Sequence, residues 1–176
     1  MTINSTERPG RPLGVTLAII CSVIIFSFIP LVHVYFLLRI RHIMSFGPES
    51  VIGFNITGLS TANLLLEIGL AIAFLVIAIV TWRGRPAYMR HVFVGAVLLL
   101  GVIFTVVFVL PPLLQTPSLA ETGLDSGQDA ARQQAIDFLI ATAIVSLYVV
   151  WYMNRGPARA FYRGYYLPDP DAEETK

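Results

Sequence analysis

Four long apolar stretches, separated by short polar segments, set the pattern of the chain. They cover about residues 14–38, 59–82, 92–114 and 134–153. A helix rises 1.5 Å per residue, so about 20 residues cross the roughly 30 Å hydrocarbon core of a bilayer, and each stretch is about that long or longer. The short segments of alternating polarity that a membrane β-barrel needs are absent from the sequence. The pattern therefore predicts an all-α integral membrane protein, a bundle of four transmembrane helices.

Composition agrees with this prediction. Of the 176 residues, 56% are hydrophobic and only 13% are charged, against roughly 25% charged in a typical soluble domain. A soluble fold of this size would leave much apolar surface in water. The predicted organisation is a polar N-terminal tail over residues 1–13, the transmembrane domain over 14–153, and a tail over 154–176 that is first basic and aromatic and then acidic. Pro30 predicts a bend in the first span.

Lysine and arginine are distributed unevenly over the segments outside the spans. The N-terminal tail, the turn from Arg83 to Arg90 and the C-terminal tail carry two, three and four of them, whereas the other two loops carry two and one. Because basic residues favour the cytoplasmic side, the sequence predicts a multi-pass protein of the cytoplasmic (inner) membrane of a bacterium, with both termini in the cytoplasm. Side chains suited to the headgroup region would mark that interface, and the candidate cytoplasmic anchors are Trp82, Arg83, Arg85, Arg90, Trp151, Arg155, Arg159 and Arg163.

One carboxylate lies well inside an apolar stretch. Glu67 is about a third of the way into the second span, and Asn63 is one helical turn before it on the same face. With the predicted topology, His33 near the outer end of the first span and Asp137 near the outer end of the fourth share its depth, within roughly 10 Å of the outer boundary of the hydrocarbon. His33, Asn63, Glu67 and Asp137 therefore form the candidate polar cluster.

Two interpretations of this cluster stay open. In the first, Glu67 hydrogen-bonds to Asn63, His33 or an arginine of the first loop and locks helices together, while Asp137 faces the interface from the start of its helix. In the second, the cluster lines a cavity that is open to the outside and binds a cation, a proton or a small polar ligand. An ionisable residue inside a membrane is a functional-site hypothesis by default.

Several other chemistries lack a signal in the sequence. Cys21 is the single cysteine, so an intrachain disulfide or a thiol pair is impossible. There is no Gly-x-Ser-x-Gly elbow, no Walker-type loop and no His-Glu-x-x-His run. The net charge of +1 comes without a dense basic patch, which disfavours nucleic acid as a partner. We expect no metal, no cofactor and no enzymatic activity.

A resemblance to a known family rests on three parts of the sequence. They are Glu67 early in the second span, the motif Trp82-Arg83-Gly84-Arg85-Pro86 that leads into the third span, and the motif Asn154-Arg155-Gly156-Pro157-Ala158-Arg159-Ala160-Phe161 after the fourth. In this layout the chain resembles the small four-helix bacterial membrane proteins grouped as domain of unknown function number 2569. The resemblance covers the layout of most of the chain and few residues in identity. It implies the fold and no activity.

Two functions follow as expectations. The first is a non-enzymatic accessory or scaffolding subunit of a membrane assembly, with the lipid bilayer and other membrane subunits, or a second copy of the chain, as partners. The alternative is a small transporter or ligand-binding membrane protein that uses the polar cluster around Glu67. The two differ in where function resides, on the outer faces of the helices or inside the bundle.

Overall fold

A computed structural model describes residues 10–44, 61–84, 86–114 and 125–164. Helix α1 consists of three consecutive segments, Leu13–Val23, the π-helical Ile24–Phe28 and Ile29–Met44, and helix α2 is Thr61–Trp82. Helix α3 also has three segments, Met89–Phe104, the π-helical Thr105–Val109 and Leu110–Leu114, whereas α4 is Asp125–Met153 and the short α5 is Gly156–Arg163. Residues 1–9 and 165–176 of the predicted tails lie outside the described residues.

The predicted fold class, an all-α bundle of four transmembrane helices, is confirmed. Four helical stretches are long and apolar enough to cross a membrane, namely Leu13–Ile43, Thr61–Trp82, Met89–Leu114 and Arg132–Met153. Helix α1 runs on past Leu38, where the apolar stretch ends, and includes Arg39 and Arg41 in its last turns. Long basic side chains at a helix end can reach the interface while their backbone stays helical. The chain is thus a multi-pass helical membrane protein.

Consecutive helices pack side by side, and the first part of α1 closes the bundle against α4. The centre of the bundle is aromatic. Phe26, Phe74, Phe93 and Phe104 are each at most 2% exposed, and neighbouring rings along this series have centroids 5.3–6.3 Å apart. Such tilted ring pairs add stability beyond the area they bury.

The outer faces of the helices are apolar, as lipid requires. On α4 the exposed side chains Ile140, Ile144, Leu147 and Trp151 recur every three or four residues and form one stripe. Because lipid tails are as apolar as these side chains, close packing rather than the hydrophobic effect holds such helices together. Gly101 of α3 faces α4, where a Cβ would make ordinary van der Waals contact with the methyl group of Thr142 at 3.5 Å.

Each π-helical segment ends two residues before a proline. A proline ring clashes with the carbonyl four residues earlier and offers it no N–H, and for Pro30, Pro111 and Pro112 that carbonyl belongs to a residue of the π-helical segment before it. The N–H of Ile29 donates to the carbonyl of Ile24, five residues back. Leu110 donates to Thr105 in the same way. The sequence predicts a bend at Pro30, and what the structure has there is this change of hydrogen-bond register within a continuous helix.

The basic end of the bundle is where α1 and α3 begin, α2 and α4 end, and α5 packs. The hydroxyl of Tyr162 on α5 donates to the carbonyl of Thr81 at 3.2 Å. A guanidinium N–H of Arg90 donates to the carbonyl of Met153 at 3.3 Å. The turn after α2 packs against Phe161 of α5 at Gly84, whose φ is 70°. The opposite end, where α2 and α4 begin, is the pocket end.

We expect Gly84→Ala to lower thermal stability more than Gly164→Ala. Both glycines have a positive φ, 70° and 83°, and a residue with a Cβ costs about 1–2 kcal/mol in that conformation. A Cβ at Gly84 would also lie 2.7 Å from the ring of Phe161, whereas one at Gly164 meets nothing within 4 Å. Melting temperatures in detergent micelles measure the difference. Equal losses in the two variants would show that the contact between Phe161 and the turn does not stabilise the bundle.

Candidate functional site

A cavity of about 350 Å³ opens between the four long helices at the pocket end. We call it the Glu67 pocket. Every long helix contributes side chains to its wall. The π-helical segment of α3 forms part of the wall, and so do the prolines that follow the π-helical segments of α1 and α3. The residues that matter for its chemistry are Pro30, His33, Asn63, Glu67, Phe104, Phe108, Pro111, Pro112, Gln134 and Phe138.

Glu67 is on the core-facing side of α2. The buried residues of this helix recur every three or four positions and are Leu64, Glu67, Ala71, Phe74, Ala78 and Thr81. The periodicity that directs the apolar side chains inward therefore directs the carboxylate inward as well, and only 3% of Glu67 is exposed. A buried carboxylate is costly unless it has a hydrogen-bonding partner.

His33 of α1 provides that partner. Its Nδ1 lies 3.0 Å from Oε1 of Glu67, so the pair links α1 to α2 across the wall of the pocket. The two side chains differ in exposure, 44% for His33 and 4% for Glu67. The imidazole thus lies between the buried carboxylate and the open side of the pocket. With His33 protonated the contact is an ion pair, and with His33 neutral it is a hydrogen bond that leaves the pocket one negative charge.

The rest of the wall combines amides with aromatic rings. Asn63, one turn before Glu67, and Gln134 on α4 contribute side-chain amides, which both donate and accept hydrogen bonds. The ring of Phe108 meets the imidazole of His33 edge-on at a centroid distance of 6.5 Å. Phe104 contacts both Phe108 and Phe138, with centroids 5.3 and 6.2 Å away. A polar patch around one carboxylate therefore faces an aromatic wall.

The pocket ends at the aromatic core. Phe104 lines the pocket, and the centroid of Phe26 lies 6.3 Å from its ring. Phe74 and Phe93 continue the series towards the basic end and are 0% exposed. These rings fill the centre of the bundle below the pocket.

The structure brings together three of the four residues of the predicted cluster. His33, Asn63 and Glu67 line one pocket, whereas Asp137 is exposed and does not belong to the wall. Its carboxylate accepts a hydrogen bond from Nε2 of Gln133 at 3.0 Å, on its own helix. Asp137 lies about 80° around the helix from the face that Gln134 and Phe138 turn to the pocket.

The arginines of the first loop take other partners. Arg39 donates to the hydroxyl of Tyr35 at 3.3 Å and Arg41 to the hydroxyl of Thr61 at 3.4 Å, so His33 rather than either arginine pairs with Glu67. The sequence prediction also missed Gln134 and the aromatic wall. Gln134 is uncharged and comes three residues before a charged residue at similar depth, so nothing in the local sequence marks it.

The candidate cytoplasmic anchors gather at the basic end. Trp82, Arg83, Arg90, Trp151, Arg155, Arg159 and Arg163 all belong to the helix ends or the turns there, and Arg85 lies outside the described residues. The guanidinium of Arg155 lies over the ring of Trp151 at 4.1 Å. The guanidinium of Arg11 lies over Trp82 at the same distance.

The described residues limit the chemistry of the pocket. Within residues 10–44, 61–84, 86–114 and 125–164, no three side chains of histidine, cysteine, aspartate or glutamate come together as a metal site would need. The described part of the pocket wall carries no serine, threonine or cysteine. What the Glu67 pocket offers is a buried carboxyl group, an imidazole, two amides and aromatic faces.

Comparison with known proteins finds no significant match among protein-family models, curated proteins or solved structures. The resemblance to the family numbered 2569 stays a prediction.

The pair of Glu67 and His33 should show strong energetic coupling in a double-mutant cycle. Removing His33 leaves the buried carboxyl group of Glu67 without its hydrogen bond, which costs about 1–3 kcal/mol. We expect His33→Leu combined with Glu67→Gln to destabilise less than the sum of the single changes, with a coupling of roughly 0.5–3 kcal/mol. The measurement is unfolding in detergent. The exposed pair Gln133 and Asp137 is the control, with Gln133→Leu and Asp137→Asn. Coupling of similar size in this pair would contradict the expectation that burial strengthens the contact between Glu67 and His33.

Proposed function

We propose that this chain is a non-enzymatic membrane protein that binds a small organic cation in the Glu67 pocket. The observation that carries the proposal is a carboxylate, 3% exposed, on the wall of a cavity rather than sealed in side-chain packing. A strut between helices needs a partner for Glu67 but no cavity beside it. A binding site needs both.

The charge and shape of the pocket favour a cation. An ionised carboxylate in low dielectric attracts a positive charge far more strongly than one in water. The faces of Phe104, Phe108 and Phe138 can add cation–π attraction. The volume of about 350 Å³ is within the roughly 300–1,000 Å³ of typical small-molecule pockets. A ligand with one cationic centre and a compact apolar body therefore fits the wall best.

The aromatic core supports binding rather than free passage. Phe26, Phe74 and Phe93 lie in the core of the bundle beneath the pocket, and each is 0% exposed. A cation that reaches Glu67 from the pocket end meets these rings and leaves by the way it came, unless the helices rearrange.

The role as an accessory or scaffolding subunit stays a second prediction. The apolar stripe of Ile140, Ile144, Leu147 and Trp151 on α4 suits a neighbouring subunit as well as it suits lipid. It does not favour one over the other, whereas the pocket is a specific feature. A ligand-binding bundle can also be a subunit of a larger assembly.

For the orientation we propose a bacterial inner membrane with the basic end, and both termini, in the cytoplasm. The excess of lysine and arginine at that end and its two tryptophans, Trp82 and Trp151, support this arrangement. The Glu67 pocket then opens to the outside of the cell.

Cysteine labelling tests this orientation. In a Cys21→Ser background, which removes the single cysteine, a membrane-impermeant maleimide should label Ser118→Cys in intact cells. It should label Thr175→Cys only after the membrane is permeabilised, because the tail lies inside. The reverse pattern would overturn the orientation but leave the proposed ligand class unaffected.

Cation binding is tested with benzyltrimethylammonium and its neutral isostere neopentylbenzene, in which carbon replaces nitrogen. We expect calorimetry in detergent to show binding of the cation and at least about tenfold weaker binding of the isostere, because losing one buried charge pair typically costs more than 1.4 kcal/mol. Glu67→Gln should weaken cation binding by a similar factor.

The matched control is Asp137→Asn, which neutralises a carboxylate of the same bundle outside the pocket wall. It should bind the cation like the unmodified protein. Absence of binding to the unmodified protein, or equal loss in the two variants, would contradict the proposal.

A further inference from the structure

The basic end gathers arginines from three parts of the chain around α5. On α5 itself, Ala158 and Tyr162 are buried against the bundle, while Arg159 and Arg163 are exposed. These two arginines are four residues apart and therefore lie next to each other on one helix face, where like charges repel. Arg155 precedes the helix at the same spacing and extends the row.

Arg90 of α3 joins this row. Arg90 is at the start of α3 and reaches the end of α4, from which the chain turns into α5. Its position is fixed by the hydrogen bond from Nη1 to the carbonyl of Met153 at 3.3 Å. Folding thus brings Arg90 to the residue from which the chain turns into the arginine row of α5, although like charges repel.

Arg11 also lies near α5. Its guanidinium lies over the ring of Trp82 at 4.1 Å and within 5.9 Å of the ring of Phe161. The aromatic rings hold this side chain in place, while a guanidinium has five N–H donors. Arg11 therefore adds a further guanidinium near α5.

No carboxylate balances these charges in the part of the chain that the structure describes. The acidic residues there are Glu67, Asp125, Asp129 and Asp137, and all four belong to the pocket-end halves of α2 and α4. The tyrosine among the arginines does not supply a negative charge either, since burial raises the pKa of Tyr162 to about 12. Its hydroxyl stays protonated and donates to Thr81.

We propose that Arg90, Arg159 and Arg163 form a binding site for the phosphate of an anionic phospholipid headgroup. Guanidinium groups bind phosphate through paired hydrogen bonds, and several of them around one phosphate turn their mutual repulsion into attraction for the ligand. Trp82 and Trp151 at the same end of the bundle are residues typical of the headgroup region, so a phospholipid presents its phosphate at this depth. The site is independent of the Glu67 pocket and of which side of the membrane the basic end faces.

Native mass spectrometry of the full chain in detergent tests the site, with phosphatidylglycerol and phosphatidylcholine as probes. We expect the unmodified protein to retain phosphatidylglycerol in preference to phosphatidylcholine. Arg159→Gln with Arg163→Gln should weaken phosphatidylglycerol binding about tenfold or more. The matched control, Arg39→Gln with Arg41→Gln, removes the same charge at the pocket end and should leave binding unchanged.

Two further arms identify the kind of contact and its source. Arg159→Lys with Arg163→Lys keeps the charge but loses the forked hydrogen bonds, and should give intermediate affinity. Inorganic phosphate at the concentration of the lipid should not displace it. Displacement by inorganic phosphate would overturn the assignment to a lipid.

The remaining outcomes also decide the matter. Equal losses in the Arg159 and Arg39 variant pairs, or no preference for phosphatidylglycerol in the unmodified protein, would overturn the proposal.

The acidic residues Asp169, Asp171, Glu173 and Glu174 of this chain are a competing occupant. If phosphatidylglycerol binds only after residues 168–176 are removed, the tail rather than lipid occupies the site. Both glutamine pairs change exposed side chains, and their melting temperatures check that the fold is intact.

Discussion

A helix in lipid must satisfy its own backbone hydrogen bonds, because no water is available to do so. Pro30, Pro111 and Pro112 break this rule in α1 and α3, and both helices respond with a π-helical segment just before the proline. Segments of this kind are often found at functional sites. Here the three prolines line the same cavity. The Glu67 pocket is therefore located where two of the four helices depart from regular geometry.

The same constraint explains why a carboxylate is tolerated at this depth. Glu67 occupies the inward stripe of α2, where helix periodicity would otherwise direct an apolar side chain into the core. The irregular helices leave space opposite it, and His33 approaches to 3.0 Å. In a regular bundle the inward carboxylate would meet packed side chains without a hydrogen bond, at a cost of several kcal/mol. Pocket and carboxylate thus depend on each other.

Particular residues show how much of this structure the sequence predicts. The four apolar stretches predict the bundle because length and hydropathy alone decide whether a helix can span. Asn63 and Glu67 are predictable as neighbours because a helix places residues four apart on one face. The charge of Asp137 marks it as a candidate, yet Gln134 lines the pocket. The start of the span is polar on several faces, at Arg132, Gln133, Gln134 and Asp137, so the sequence does not show which of these residues faces inward. The π-helical segments depend on how the backbone relaxes around each proline, which spacing does not show.

The acidic residues of the described helices lie away from the basic end. Glu67, Asp125, Asp129 and Asp137 belong to the pocket-end halves of their helices, whereas the described residues of the basic end include arginine and no acidic residue. If stability alone set this arrangement, pairing opposite charges across the short turns would lower the repulsion between Arg90, Arg159 and Arg163 at little structural cost. Instead arginine at the basic end lies beside an aromatic ring, Arg11 over Trp82, while Phe104 and Phe108 lie near Glu67 in the pocket. Charge next to aromatic surface is what a site for a charged amphiphile requires, so the basic end is suited to an anionic ligand and the Glu67 pocket to a cationic one.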